Sequence, residues 1–269
     1  VTGRFSYSNP NLQQIPARHA ILGPLIRSIF IPEKDHEWGI FDYSQQEPRI
    51  VVHYASMKHF TGADKFVDAY RDDETTDFHK MVSEIADIPR KKAKTINLGL
   101  FYGMGKGKLM SQLGINLEDA TEMLANYNER VPFVKQLMND TMKKAGKKGY
   151  LSTIEGRRCR FELYEPTNEW GQKALPFKEA KDEYGEHMIK RAWTYKALNR
   201  LIQGSAADQT KKAMLELSKE GYLAHIQVHD ELDFSVANEK DKFKIKEIME
   251  HAVKLEVPSK VDVECGDSW

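Results

Sequence analysis

Cysteine is scarce in this sequence of 269 residues: Cys159 and Cys265 are far apart and form no Cys-x-x-Cys spacing. A disulfide framework and a cysteine zinc site are therefore excluded, because both need several cysteines at short intervals. No apolar run approaches the roughly 20 residues that a membrane helix requires. The first four residues also lack the basic and then apolar order of a secretory signal. We expect a protein that has no membrane partner and works in the cytoplasm.

A net charge of one sign and low-complexity sequence are also missing. The 40 basic residues balance 40 acidic ones, so the overall charge neither predicts nor excludes a nucleic-acid partner. No internal repeat or Gly/Ser linker interrupts the chain. Hydrophobic residues make up 41% of the sequence, which is enough to bury a sizeable core. The sequence predicts one compact globular unit.

The charges are unevenly distributed along the chain. Residues 88–115 contain six basic side chains and no carboxylate. A second basic stretch runs over residues 143–160, with Glu155 as its only acidic residue. Solvated helix faces account for most such stretches in soluble proteins, and a surface that binds a polyanion is the alternative.

Hydrophobic periodicity predicts strands near the two ends of the chain and helices between them. A short apolar run ending at Asp42 is typical of a buried strand, and residues 224–236 alternate around His229 and Asp230 as in a tight β-hairpin. Helical patterns occupy residues 76–86, 89–102, 117–147, 187–219 and 240–255. This order predicts an α+β fold built from both ends of the chain, with a helical insertion between about residues 57 and 187.

Two carboxylates, Asp42 at a strand end and Asp230 at a hairpin tip, are candidates for a shared cleft. Two carboxylates in one cleft repel each other unless one is protonated or a cation joins them, and hard oxygen ligands select Mg²⁺ or Mn²⁺ rather than zinc. Taken singly, each aspartate is more typical of a cap or a turn. The pair predicts a divalent-metal site if the two side chains meet.

One basic helix combines cations with a potential stacking group. Arg90, Lys94, Leu98 and Tyr102 recur at every fourth residue and so lie along one face. The cations are suited to phosphate groups, and the aromatic end is suited to the flat face of a base. An ordinary amphipathic helix with Leu98 and Tyr102 in the core is the alternative.

Three motifs, in this order, resemble those of the family A DNA polymerases, the group that includes bacterial DNA polymerase I and many phage replicases. They are Asp42-Tyr-Ser-Gln-Gln-Glu-Pro-Arg49, Arg90-Lys-Lys-Ala-Lys-Thr-Ile-Asn-Leu-Gly-Leu-Phe-Tyr-Gly103 and Gln227-Val-His-Asp-Glu-Leu232. Shorter similar segments extend the resemblance over nearly the whole chain. They are Thr2-Gly-Arg-Phe-Ser6, Asn11-Leu-Gln-Gln-Ile-Pro16, Gly156-Arg-Arg158, Gln203-Gly-Ser-Ala-Ala-Asp208 and Val263-Glu-Cys-Gly-Asp-Ser-Trp269.

The resemblance implies a division of the chain into polymerase subdomains. The palm, an antiparallel sheet with helices, would comprise residues 1–56 and 188–269. A mostly helical fingers subdomain would comprise residues 57–187. A thumb and any exonuclease domain would precede Val1 and would therefore not belong to this chain.

The resemblance also implies roles for the matching positions. Asp42 and Asp230, with the backbone carbonyl of Tyr43, would hold two Mg²⁺ ions, which Mn²⁺ can replace, and Glu231 would support them. Lys94 would donate a proton to the leaving pyrophosphate. The residues implied to contact the incoming deoxynucleoside triphosphate are Gln45, Glu47, His79, Arg90, Lys94, Leu98 and Tyr102. The residues implied to contact the primer–template duplex are Arg4, Asn11, Gln13, Arg157, Asn199, Gln203 and His229.

Within this set, Glu47 matches the residue that acts as a steric gate against a 2′-hydroxyl. The chain departs from the bacterial pattern at four places. Pro48 stands where Leu is usual, Tyr195 where we would expect a duplex-contacting Arg, and Leu98 where Phe or Tyr usually lies beside the deoxyribose. Residues 163–186 form a longer segment than the bacterial enzymes have.

The sequence therefore predicts a template-directed DNA polymerase in a bacterial or phage-infected cell. It would add deoxynucleotides to a primer 3′-hydroxyl by two-metal phosphoryl transfer and release pyrophosphate. A single-subunit RNA polymerase is the nearest alternative, and Glu47 and residues 227–232 favour DNA synthesis. The other alternative is a non-catalytic DNA-binding fragment without a thumb, which the presence of Asp42, Asp230 and Lys94 disfavours.

Overall fold

The computed structural model describes residues 2–15, 19–169 and 171–269. Val1 and Pro16, the last residue of one motif, lie outside these ranges. The helices are α1 (Leu22–Arg27), α2 (Gln46–Ser56), α3 (Ala63–Asp72), α4 (Phe78–Ala86), α5 (Arg90–Phe101), α6 (Lys106–Leu113), α7 (Leu117–Arg130), α8 (Pro132–Lys148), α9 (Phe177–Tyr184), α10 (Ala197–Lys219) and α11 (Glu239–His251). The strands are β1 (Glu37–Tyr43), β2 (Tyr150–Ser152), β3 (Arg158–Arg160), β4 (Leu163–Pro166), β5 (Leu175–Pro176), β6 (Ile189–Arg191), β7 (Ile226–Val228), β8 (Glu231–Val236) and β9 (Val261–Gly266).

A four-stranded antiparallel sheet joins the two ends of the chain. Its order is β7-β8-β1-β9, so the strand from the first part of the sequence lies between strands from the last part. Phe41 of β1 is fully buried and packs edge-on against Phe234 of β8, with 5.5 Å between the ring centroids. Residues of α10 and α11 complete this core. The predicted mixed α+β fold with an antiparallel sheet is confirmed.

A second core lies among the helices and connects the sheet to the basic helix α5. Phe66 of α3, Phe78 of α4 and Phe133 of α8 pack together, with ring centroids 5.0–6.4 Å apart. Ile50 of α2 and Ile202 of α10 belong to the same cluster. Because α2 directly follows β1, this packing sets the position of α4 and α5 relative to the sheet.

The segment between the two ends, predicted to be mostly helical, also contains short strands that the sequence pattern did not predict. Strands β2 and β3 form a hairpin, and β5, β4 and β6 form a three-stranded sheet. Strands β4 and β5 lie within the segment that is longer than the bacterial pattern, and β6 follows it. Each of these strands has four residues or fewer. Such short strands show too little alternation to be distinguished from a loop or a helix end.

Two predicted helices also need correction. The pattern over residues 117–147 is two helices, because Pro132 begins α8 and the residue before it, Val131, has a non-helical φ of −128°. The pattern over residues 187–219 is helical only from Ala197, where α10 begins, and the preceding residues form β6 and short 3₁₀ turns. No helix in the described ranges combines the length and the apolarity needed to cross a membrane.

Arg49 is a buried cation that ties three segments together. It is 2% exposed. Its guanidinium donates to the carbonyl oxygens of Ser44, Glu74 and Pro258 at 2.9, 2.5 and 2.6 Å. The same group lies 4.4 Å from the ring centroid of Tyr70. Arg49 therefore holds the chain just after β1 against the loop before α4 and the loop before β9.

Replacing Arg49 with alanine is expected to lower the free energy of unfolding by about 3–5 kcal/mol, because three buried carbonyls lose their donor together. Arg49→Lys should recover only part of this loss, since an ammonium group lacks the planar fork that reaches three acceptors. Urea denaturation, monitored by circular dichroism, measures the free energy of unfolding of both Arg49 variants. Arg71→Ala is the control: Arg71 is exposed and pairs with Glu256 at the surface, so a loss below about 1 kcal/mol is expected. Equal losses for Arg49→Ala and Arg71→Ala would contradict this account.

Candidate active site

The structure brings Asp42 and Asp230 close enough for their charges to interact. Asp42 lies near the end of β1, opposite Glu231 on β8 and Asp262 on β9. Asp230 lies in the two-residue turn between β7 and β8, and its carbonyl accepts a hydrogen bond from the Tyr43 amide at 3.3 Å. Burial, followed by repulsion from Asp230 and Glu231, raises the pKa of Asp42 to about 7. Burial also raises the pKa of Asp230.

Glu231 is held at the edge of this carboxylate group by the end of the chain. The Trp269 indole donates to a Glu231 carboxylate oxygen at 3.1 Å. Trp269 in turn packs edge-on against Phe30 and lies under the Arg27 guanidinium. Burial and the neighbouring Glu231 raise the pKa of Asp233, which is fully buried, to about 9. The chemistry of this corner is thus dominated by carboxyl groups that repel one another.

These residues fit a divalent cation that arrives together with a substrate. In the described part of the chain, no group of three or more His, Cys, Asp or Glu side chains could hold a metal alone. Magnesium is commonly bound by one or two carboxylates, with water and substrate phosphates as its remaining ligands. Burial is the main cause of the raised pKa of Asp42, and repulsion from Asp230 and Glu231 adds to it. A divalent cation would relieve that repulsion.

A cleft of about 450 Å³ is lined by Asp230 but not by Asp42, and we call it the central cleft. Its volume is in the range of small-molecule sites. Its walls contain all seven residues implied to contact a nucleotide. They come from the N-terminal segment, from α2, α4 and α5 with the residues that flank them, and from the β7–β8 turn. The lining residues are Arg4, Gln45, Gln46, Glu47, Pro48, Asp77, His79, Arg90, Lys94, Leu98, Tyr102, His229 and Asp230.

Helix α5 presents one face to the core and another to the central cleft. Ala93, Ile96 and Phe101 are buried. Leu98 is partly exposed and lines the cleft, and Tyr102 is 42% exposed. The alternative that Leu98 and Tyr102 are core residues is therefore wrong.

Two of the four cations of α5, Arg90 and Lys94, line the central cleft, and they differ in their partners. Arg90 forms an ion pair with Asp77, which also caps the start of α4 by accepting from the Lys80 amide at 3.0 Å. Lys94 has no hydrogen bond or ion pair with any other residue that the structure describes. Asp77 was not among the predicted site residues, although an Asp just before a helical pattern is a recognised capping signal. Of these two cations, Lys94 is the more available to a ligand. Arg90 would have to contact Asp77 and the ligand at the same time.

Glu47 is held by two partners, one on each carboxylate oxygen. Arg4 donates to one oxygen at 2.6 Å and the Tyr102 hydroxyl donates to the other at 3.1 Å. Burial raises the pKa of Glu47, and the charge of Arg4 opposes that rise. These bonds fix the orientation of the side chain and connect the N-terminal segment to the end of α5. Pro48 follows in the first turn of α2, where a missing amide hydrogen is tolerated.

Two non-glycine residues of the cleft have left-handed backbone conformations. Gln45, three residues after Asp42, has φ +52°, and His229, which shares the β7–β8 turn with Asp230, has φ +56°. Such conformations cost about 1–3 kcal/mol and are frequent at functional sites. The Gln45 side chain donates to the Thr76 carbonyl at 2.9 Å and accepts from the Phe78 amide at 2.8 Å. It therefore holds the start of α4 in place. Its contact with a nucleotide stays a prediction.

Several residues implied to contact the duplex adjoin the central cleft. A small crevice next to it is lined by Arg4, Gln13 and His229, among others. Gln13 donates to Gln227 at 3.3 Å, and Gln227 donates to the His229 carbonyl at 2.6 Å. Asn199 and Gln203 lie one turn apart on α10, and Gln203 reaches the Tyr102 hydroxyl.

The side chains of Arg157 and Asn11 form hydrogen bonds with other residues of this protein. Arg157 donates to Asp208 at 2.8 Å, to the Thr2 carbonyl at 2.7 Å and to the Gly204 carbonyl at 3.0 Å. It therefore anchors the N-terminal segment to α10. The Asn11 side chain accepts from the Gln13 amide at 3.1 Å and caps a short 3₁₀ helix. Contacts of Arg157 and Asn11 with DNA stay predictions.

Comparison with known proteins identifies the class to which this fold and site belong. The sequence profile of DNA polymerase family A matches residues 1–269, so the chain belongs to that family. A DNA-directed DNA polymerase of Pseudomonas phage M6 is 38% identical over 99% of this chain and 43% of its own length. DNA polymerase I of Bacillus subtilis is 36% identical over the whole chain and 30% of its own length. The chain thus spans less than half the length of these relatives.

A solved structure agrees with the fold. The POL domain of Pol1 from M. smegmatis, in complex with DNA primer-template and dNTP, superimposes with a TM-score of 0.79 at 32% identity. The match covers all of this chain and 46% of the other.

Proposed function

We propose that this chain carries the catalytic site of a template-directed DNA polymerase, which adds deoxynucleoside monophosphates to a primer 3′-hydroxyl and releases pyrophosphate. The observation that carries the proposal is the central cleft, which is lined by Asp230 and by Arg90 and Lys94 of the basic helix, while Asp42 lies close enough to Asp230 for their charges to interact. Carboxylates on one side suit metal ions, and cations on the other suit a triphosphate. The bacterial and phage relatives support action in the cytoplasm of a bacterial or phage-infected cell.

The metal ions would be held by Asp42, Asp230 and the Tyr43 carbonyl, with Glu231 in support. When bound, Mg²⁺ or Mn²⁺ lowers the pKa of the attacking hydroxyl and neutralises charge on the leaving group. Lys94 would bind the phosphates and donate a proton to pyrophosphate. The Tyr102 ring would adjoin the templating base, and the residues beside the cleft, Arg4 among them, would hold the primer–template.

The subdomain division follows from the same proposal. Residues 1–56 and 188–269 would form the palm, and residues 57–187 the fingers. The four-stranded sheet, which takes β1 from the first segment and β7–β9 from the last, supports the palm. The packing of α3, α4, α5 and α8 around one aromatic cluster supports the fingers.

Primer extension with defined nucleotides tests the proposal. The protein is mixed with a primer–template, Mg²⁺ and either deoxynucleotides or ribonucleotides, and product length is read on a denaturing gel. Template-dependent extension with deoxynucleotides alone is the expected result. Preferential use of ribonucleotides would indicate an RNA polymerase. DNA binding without extension, with and without a separately supplied upstream region of a relative, would indicate a non-catalytic fragment.

Removing the Glu47 side chain is expected to admit ribonucleotides. The wild-type side chain would exclude a 2′-hydroxyl by steric overlap, and its fixed position between Arg4 and Tyr102 prevents it from moving aside. The steric overlap and the fixed position of the side chain together correspond to about a hundredfold or more in selectivity for deoxynucleotides over ribonucleotides. The ratio of kcat/KM for deoxynucleotide and ribonucleotide measures it, since a general loss of activity cancels in that ratio.

Glu47→Gln is the matched control because glutamine keeps the volume of the side chain. It should retain most of the sugar discrimination even if it weakens the contact with Arg4. An unchanged selectivity ratio in Glu47→Ala would show that this side chain does not lie beneath the sugar.

A further inference from the structure

We propose that Asn97 and Tyr127 are positioning residues that hold His79 as a hydrogen-bond donor to the incoming triphosphate. The proposal rests on the function proposed above and names a device within that site. His79 lies in the first turn of α4 and lines the central cleft, and Asn97 and Tyr127 lie behind it on α5 and α7. The positioning residues contact neither the cleft nor any of the metal-ligand candidates.

The three side chains form a buried hydrogen-bonded chain. The Tyr127 hydroxyl donates to Asn97 Oδ1 at 2.6 Å. Asn97 Nδ2 lies 2.9 Å from His79 Nδ1. Tyr127 and Asn97 are 0% exposed and His79 is 7% exposed. A buried polar chain of this kind is stable only when each donor has an acceptor, so its direction is determined by its end group.

Tyr127 determines that direction. Its buried hydroxyl hydrogen has one acceptor among the described residues, Asn97 Oδ1. The carboxamide must then present its NH₂ group to His79, because oxygen and nitrogen occupy opposite sides of the amide. An NH₂ group can only donate, so His79 Nδ1 must be an unprotonated acceptor. The proton of a neutral imidazole therefore lies on Nε2, the ring nitrogen on the opposite side from Asn97.

The surroundings of His79 favour the neutral ring. The pKa of His79 is lowered to about 4, mainly because the ring is buried. The positive charges of Lys94 and Arg90 on α5 also lower it. Asp77, just before α4, acts in the opposite direction. Phe78 packs edge-on against the ring. A third positive charge beside Lys94 and Arg90 would be repelled before the triphosphate arrives, whereas a neutral N–H donor avoids that repulsion and still binds a phosphate oxygen.

Tyr127→Phe isolates this device because it removes one hydroxyl and no ring carbon. Without that donor the Asn97 amide can turn over and offer oxygen to His79, which would allow a proton on Nδ1. Long-range ¹H–¹⁵N NMR of the imidazole rings distinguishes the two tautomers and the cation. The His79 signals are assigned by their loss in His79→Gln. We expect only the Nε2–H form in the wild type at neutral pH and a mixture in Tyr127→Phe.

A double-mutant cycle connects the tautomer to nucleotide binding. In the presence of primer–template, Tyr127→Phe should raise the Kd for deoxynucleoside triphosphate by about 5–10-fold, which corresponds to the loss of one well-directed hydrogen bond. The change in kcat should be smaller. The same substitution in a His79→Gln background should have little further effect, because Tyr127 acts through His79. Tyr54→Phe is the control, since it also removes one hydroxyl that is bonded to another side chain, Ser205, in the helical part of the chain.

The two measurements separate the possible failures. A wild-type ring protonated on Nδ1, or additive losses in the cycle, would overturn the proposal even if the protein extends primers normally. If the wild type bound no nucleotide, the function proposed above would fail, and the NMR result would still decide whether Tyr127 and Asn97 set the state of His79. An equal loss of affinity in Tyr54→Phe would indicate a general structural effect and would also overturn it.

Discussion

Replacing Asp42 or Asp230 with alanine is expected to abolish nucleotide addition while DNA binding survives. Each substitution removes a ligand of the proposed metal site and leaves the phosphate-binding cations in place. The rate should fall by several orders of magnitude, because activation of the hydroxyl and stabilisation of the leaving group are lost together. Single-turnover extension measures the rate, and fluorescence anisotropy of a labelled primer–template measures DNA binding.

The chain offers a matched control for these variants. Asp262 lies directly opposite Asp42 in the sheet, but it is exposed and forms an ion pair with Lys260. Asp262→Ala should keep the rate within a few-fold of the wild type. Glu231→Ala should have an intermediate effect, because Glu231 supports the site from its edge. A rate of one tenth of wild type or more in Asp42→Ala would defeat the two-metal assignment.

Lys94→Ala should chiefly lower the maximal rate, by about 10²–10⁴-fold, the range for loss of a general acid. Lys94 has no partner within the described part of the chain, so its contact with the leaving pyrophosphate would be made in the transition state. Arg90→Ala should chiefly weaken nucleotide affinity, because the ion pair with Asp77 already orients Arg90 towards the cleft before the nucleotide binds. Rapid-quench kinetics over a range of nucleotide concentrations separates rate from affinity.

Lys91→Ala is the control for loss of a positive charge on the same helix. Lys91 is exposed and does not line the central cleft, so both parameters should stay near the wild-type values. Matching rate and affinity profiles for Lys94→Ala and Arg90→Ala would contradict the separate roles proposed for them.

Local sequence was sufficient to predict the strand that ends near Asp42, the hairpin with Asp230 in its turn, and the basic helix. Each of these depends on short-range physics: alternation of apolar residues in strands, turn chemistry, and the helical repeat. The order of the motifs was sufficient for the family, which the match over the whole chain confirms. Short-range physics also explains the errors, since two- to four-residue strands and a helix break before Pro132 leave little periodic signal.

Tertiary structure alone decided which side chains are already engaged. Three side-chain hydrogen bonds of the site join residues that are far apart in the sequence. Arg90 and Asp77 are separated by 13 positions, Tyr127 and Asn97 by 30, and Tyr102 and Glu47 by 55. Periodicity indicates which face of a helix is buried, but not which polar group on another helix it will face, because that depends on how the helices pack. The sequence alone was therefore enough to indicate the chemistry that this protein can carry. The packing of α4, α5 and α7 decided that Lys94 has no partner within the described ranges, that Arg90 is paired with Asp77 and that His79 is hydrogen-bonded to Asn97.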